Sequence, residues 1–284
     1  SKSHNLSIGK RLYEHKEHLF LSPTHIKQRG AYKYMSFDKF ISVIESKKLY
    51  LTRIDHWDDV FEGYLLSHYF REYGWLSFLS HRDRKLVNKN LLECIYAQSW
   101  TWDSVESDAM WRIYSPDKKG VRIKCCREGI YNDMQNSINR REETYKIDAF
   151  EVDYERYISV NSSETVDDIL RSISNDKLVQ YALQFKRRAF KHEAEYRFSS
   201  LHENNIKNLC AYVKAIYNGN AYDLKLIDCD DVLKYDFELS NVREILLDPH
   251  SPKEHWETFD LYCKNRKLEN YGIKYEQSKL YSLN

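Results

Sequence analysis

Apolar residues recur along this chain in two rhythms, one helical and one alternating, and their succession lays out the elements. Phe37, Phe40, Ile41 and Ile44 fall at i, i+3, i+4 and i+7, one buried stripe on a helix predicted over residues 38–47. A strand-like run at residues 31–35 precedes it and a short strand at 49–51 follows. Residues 6–20 read as a short amphipathic lead, and residues 64–92, rich in aromatic and basic side chains, as a helical insertion. Residues 95–100 return to a strand. Asp103 and Glu106 then have capping-box spacing and predict a helix running through Met110, Trp111 and Tyr114. A turn at 116–120 leads into an alternating strand at 121–125.

Ile169, Ile173, Leu178, Ala182 and Phe185 mark a helix over residues 165–191, after which 193–201 reads as a strand. Val242–Leu247 is an apolar strand ended by Asp248-Pro249; a helix at 252–265 and a strand at 273–276 follow. No internal repeat and no βαβ rhythm appears. The expectation is a single α+β domain over residues 1–284 with a mixed or antiparallel sheet and flanking helices, interrupted by the insertion at 64–92.

Composition narrows the function. With 44 basic and 43 acidic residues, net charge +1, the chain has no global basic field for nucleic acid, which leaves a local groove as the way to bind it. The 23 Tyr, 12 Phe and 6 Trp suit both cores and stacking pockets. Cys94, Cys125, Cys126, Cys210, Cys229 and Cys263 include no C-x-x-C pair, so they predict reduced thiols rather than a zinc site or disulfide scaffold. No leader pattern appears and no apolar run approaches the roughly 20 residues that span a bilayer. A cytoplasmic protein with no membrane partner is expected.

Glycine-rich nucleotide loops, a G-x-S-x-G elbow and H-E-x-x-H are all missing. His15 and His18 stand three apart on a charged face without a third ligand, which is weak for metal. The segment carrying the densest chemistry is 190–198. As a strand it would put Glu193, Glu195 and Arg197 on one face, where two carboxylates beside a cation can divide general-base and charge-stabilising work. An exposed face of carboxylates paired with arginine explains the same spacing. Lys186, Arg187, Arg188 and Lys191 either steer a phosphate-bearing ligand or end a solvated helix. Asp58, Asp59 and Glu62 either hold a divalent cation or cap a helix. Tyr32 with Tyr34, and Ser99 with Thr101, would share strand faces that line a cleft or simply pack.

Three blocks carry a resemblance to a bacterial family of unknown function: Tyr32 to Ser36 through Asp59 to Gly63, Trp100-Thr101 through Glu106 to Val121, and Phe185 through Phe190 to Arg197. The layout also distantly resembles the ADP-ribosyltransferase fold, a split sheet around a cleft for NAD with one key residue from each of three strands. That resemblance implies that Glu195 stabilises an oxocarbenium-like transition state and Glu193 positions or deprotonates the acceptor. It implies that Tyr32 or Tyr34 holds NAD, with Ser99, Thr101 and Arg197 supporting it. Tyr32-Lys33-Tyr34 stands where the fold has His or Arg, and Ser99-Trp100-Thr101 only approximates its hydroxyl triplet.

The expected function is cleavage of NAD, without metal, and transfer of ADP-ribose to a macromolecule. Nucleic acid is one acceptor, through basic residues at 82–89 and 186–191, and a toxin or anti-phage role is the biological expectation. The rivals are a metal-dependent nuclease or phosphoesterase using Asp58, Asp59, Glu62, Glu193 and Glu195, and a binding module for a nucleotide or a protein partner.

Overall fold

A computed structural model describes residues 30–57, 78–138, 140–141, 144–154, 183–184 and 186–282. Strand β1 (Gly30–Met35) leads into helix α1 (Phe37–Ser46), which Ser36 caps by accepting from the Lys39 N–H. The helix buries Phe40, Val43 and Ile44, the predicted stripe turned by one position, and ends at Lys47 in the left-handed region, φ 49°. Strand β2 (Lys48–Arg53) follows directly.

Helix α2 (His81–Glu93) then precedes β3 (Ile95–Thr101). After it come α3 (Asp108–Tyr114), β4 (Val121–Cys126), α4 (Arg127–Ile138) and β5 (Tyr145–Glu151). The remaining elements are β6 (Glu195–His202), α5 (Glu203–Tyr217), β7 (Val232–Asp236), β8 (Val242–Leu247), α6 (Lys253–Asn265) and β9 (Lys274–Gln277).

The strands form one nine-stranded sheet in the order β5-β6-β3-β1-β4-β8-β9. Among the described strands only the β8–β9 pair is parallel, so the sheet is mixed and the chain is mixed α and β. It forks at β3. Thr101 pairs with Tyr32 of β1, whereas Ala97 and Tyr96 pair with Thr52 and Arg53 of β2, which continues to β7. Between Ala97 and Thr101, β3 has no strand partner on that edge among the described residues.

Both faces are covered. Tyr96, Trp100, Tyr196 and Phe198 pack with α1, α4 and α6 through Phe40, Ile130, Met134 and Phe259. On the other face Ala97, Phe150 and Leu201 meet Val87 and Leu91 of α2 and Ile206, Leu209 and Val213 of α5. The described part of the predicted insertion therefore helps close the core.

Two boundaries correct the sequence reading. The capping box at Asp103 and Glu106 does not open a helix. Asp103 instead accepts from the Val105 N–H at 2.9 Å as a turn, Arg122 takes the carbonyls of Asp103 and Ser104, and Ser107 caps α3. Glu106 is taken up by the Trp111 indole at 3.0 Å and by Ser278 at 2.5 Å. The second correction lies at 193–201. Arg188–Glu193 winds as a 3-10 turn, Ala194 is left-handed at φ 43°, and the strand begins at Glu195. The Ala194 carbonyl accepts from Trp102 N–H and Thr101 Oγ1, which pins this corner to the end of β3. Of the helix predicted over 165–191, residues 165–182 and 185 lie outside the described residues, and Lys186 and Arg187 are irregular.

Candidate functional site

Antiparallel register decides which side chains meet, because directly opposed residues point to the same face. Tyr32 opposes Thr101, Thr101 opposes Glu195, and Ser99 opposes Arg197. Three neighbouring strands thereby put Tyr32, Ser99, Thr101, Glu195 and Arg197 on one face.

Glu195 is the hub. Its Oε2 accepts from Arg197 Nε at 2.6 Å and from Ser99 Oγ at 2.9 Å, and its Oε1 from Lys186 Nζ at 2.5 Å. Tyr154 Oη accepts from the Glu195 backbone N–H. Burial alone would raise this carboxyl, but Arg197 and Lys186 outweigh it and hold it well below the usual carboxylate range.

Glu193 reaches the same place by another route. It is not on β6, so the expectation that it shares a strand face with Glu195 is wrong; the left-handed turn at Ala194 swings it back instead. Lys186 Nζ lies 2.9 Å from its Oε2 and so bridges the two glutamates. Burial and the adjacent Glu195 push the Glu193 carboxyl up to about 7, against the opposing pull of Lys186. One carboxylate is thus locked ionised while its neighbour titrates near neutrality.

A cavity of about 440 Å³ opens at the fork of the sheet. Tyr32, Tyr34, Ser99, Thr101, Lys186, Glu193 and Glu195 line it, together with Lys33, Lys39, Tyr50, Trp57 and Tyr114. The size lies within the range of small-molecule sites.

The predicted site residues differ in what they do there. Ser99 touches the carboxylate. Thr101 spends its hydroxyl on the Ala194 carbonyl, and the Tyr34 hydroxyl accepts from Ser107 N–H while its ring meets Trp111 edge-on at 4.9 Å. Tyr32 lies beneath the Arg122 guanidinium at 4.1 Å. Arg197 is fully buried, donates to the Leu183 carbonyl and stacks over Trp57, so it holds Glu195 from behind without lining the cavity. Arg188 and Lys191 on the 3-10 turn, and Arg187 just before it, are exposed and do not line the cavity, whereas Lys186 does. Asp58, Asp59 and Glu62 lie outside the described residues. Among the described residues no group of three or more His, Cys, Asp or Glu gathers to hold a metal.

Sequence reasoning missed Lys33, Lys39, Trp57 and Tyr154. Strand alternation puts Lys33 on the face opposite Tyr32, and only the fork lets its side chain reach the cavity.

Residues 110–198 match a family model described as protein of unknown function (DUF2971). The matched stretch runs from Met110 in α3 to Phe198 in β6 and includes Lys186, Glu193, Glu195 and Arg197. The resemblance to a family of unknown function holds over that stretch. No curated protein and no solved structure matches the chain. Among the described residues no helix is long and apolar enough to cross a membrane.

Proposed function

We propose that the cavity binds NAD and that Glu195 promotes cleavage of the bond between nicotinamide and ribose, with ADP-ribose passing to a macromolecular acceptor. The observation that carries this reading is the convergence of Ser99, Lys186 and Glu195 at the wall of a cavity also lined by Tyr32. The forked sheet, with Tyr, Ser and Glu supplied in chain order by β1, β3 and β6, supports an ADP-ribosyltransferase-like arrangement.

The chemistry follows from the two carboxyl environments. As the glycosidic C–N bond breaks, nicotinamide leaves with the bonding electrons and positive charge grows on the ribose ring. A carboxylate held ionised in a buried, preorganised site stabilises that charge. The acceptor then attacks the same carbon and gives up a proton, and Glu193, with its pKa near 7, is matched to take it. Tyr32, Tyr50, Trp57 and Tyr114 offer rings for the nicotinamide and its ribose. A cavity of about 440 Å³ suits one half of a dinucleotide, leaving the rest toward the rim. Exposed Arg187, Arg188 and Lys191 on the turn before β6 supply cations for a nucleic-acid acceptor.

The deciding experiment is nicotinamide release from NAD, with EDTA present, by wild type and Glu195→Gln of matched folding. Release by wild type alone supports the reading. No release by either, with cell lysate as acceptor source, overturns it. Turnover of a phosphodiester that EDTA abolishes would favour the metal-dependent hydrolase instead.

A further inference from the structure

We propose that Lys33 and Lys39 form an anion subsite of this cavity that takes a phosphate or pyrophosphate group of the ligand. The proposal rests on the reading of the cavity as the substrate site and adds residues that the sequence did not single out.

The geometry is a consequence of the fork. Where, among the described residues, β3 has no strand partner between Ala97 and Thr101, Lys33 reaches across the gap and its Nζ donates to the Ser99 carbonyl at 2.7 Å. The same ammonium stands over the Trp100 ring at 5.5 Å. Among the described residues this uses one of the ammonium's three hydrogen-bond donors, leaving two for a ligand. Lys39, in the first turn of α1, lines the same cavity.

Charge makes the pair unusual. The carboxylates of the cavity are already engaged: Glu193 and Glu195 share Lys186, and Glu195 also holds Arg197. Among the described residues, Lys33 and Lys39 have no carboxylate at ion-pair distance. Burial and the Lys39 charge push Lys33 down to about 8. An anion between the two lysines would relieve that repulsion.

The test is calorimetric titration of the whole chain with inorganic pyrophosphate and, separately, with ADP. Wild type is expected to bind both. Lys33→Met and Lys39→Met should each weaken pyrophosphate roughly tenfold, the loss of one charge-assisted contact, while Lys33→Arg retains binding. Lys39 is exposed, so Lys39→Met keeps the test open if Lys33→Met fails to fold.

Absence of pyrophosphate binding in wild type overturns the subsite. So does a Lys33→Met protein that melts earlier yet binds pyrophosphate unchanged, which would make Lys33 only a brace for Ser99. Binding of ADP but not pyrophosphate, unaltered in both lysine variants, places recognition on the nucleoside and also overturns it. Failure of the NAD reading is separable: pyrophosphate binding lost in the lysine variants, with no nicotinamide released by wild type, leaves the subsite standing alone. Nicotinamide release with an unchanged KM for NAD in both lysine variants removes the subsite and leaves the NAD reading.

Discussion

Glu195 and Arg197 stand two residues apart on β6 and meet side by side, Arg197 Nε donating to Glu195 Oε2 at 2.6 Å. Their side chains are 4% and 0% exposed, so neither charge has water to fall back on. Removing one member of such a pair leaves the other buried and uncompensated, at a cost of about 3–5 kcal/mol. Glu195→Ala is therefore expected to lose that much in urea unfolding. Glu195→Gln should lose less, because its amide oxygen still accepts from Ser99 or Arg197. An alanine variant as stable as wild type would show that the pair is not the anchor described.

Glu193 makes a pH prediction of definite sign. Its folded pKa, about 7, lies above the ordinary carboxyl value of 4.5, so the folded state holds more protons between those values. Stability contributed by this group is full below about 4.5 and is lost as pH rises toward 7. Activity should move oppositely, rising through pH 7 as the base loses its proton. Glu193→Gln is expected to flatten both profiles over that window, measured by thermal melts and by nicotinamide release across pH 5–8. Glu195, shifted the other way, contributes stability that is fully present at neutral pH and is lost in acid as pH falls through its depressed pKa.

Much of the sheet was legible because period-two alternation survives wherever one face is buried: the strand Val242–Leu247 has its predicted bounds, and β1, β3 and β4 lie within one residue of theirs. Helices α4 and α5 and strands β5 and β7 were not anticipated. In α4 the buried apolar positions Ile130, Met134 and Ile138 stand four apart among mostly polar residues, a thin stripe that pattern reading passes over. Of the site, only the resemblance brought Ser99 and Glu195 together; in the structure the pairing of β3 with β6 puts Ser99 Oγ at 2.9 Å from Glu195 Oε2. The position of Glu193 was not legible. E-A-E spacing assumes an unbroken strand, and only tertiary contacts to the Ala194 carbonyl hold a non-glycine residue at φ 43°. Lys33 was hidden for a related reason, because a fork cancels the alternation that assigns side chains to faces.

Ser99→Ala tests whether the hydroxyl positions the carboxylate or merely packs. The bond to Glu195 Oε2 is 2.9 Å long and is one of three charge-assisted contacts on that group. Its loss should cost about 1.5–3 kcal/mol of stability. If Ser99 orients Glu195 toward the ribose, kcat should fall with KM for NAD little changed, and Ser99→Thr should restore part of it. A rise in KM alone would make Ser99 a binding contact instead.

Cys229 is expected to be the reactive thiol of the protein's second face. A hydrogen bond from Cys94 pulls its pKa down to about 7, against the effect of burial, with Tyr96, Asn205 and Arg53 adding to the pull. Asn205 Nδ2 donates to its Sγ at 3.3 Å. Burial drives Cys210 and Cys263 the other way, up to about 12, and raises Cys125 as well. Because the thiolate is the nucleophile, alkylation at neutral pH should reach Cys229 well before those three. Limited iodoacetamide treatment followed by peptide mass spectrometry checks the order, and repeating it across pH should give a half-maximal rate for Cys229 near 7. Asn205→Leu removes a donor to the sulfur and should shift that midpoint upward. An unchanged midpoint would mean that the Cys94 hydrogen bond alone sets the reactivity.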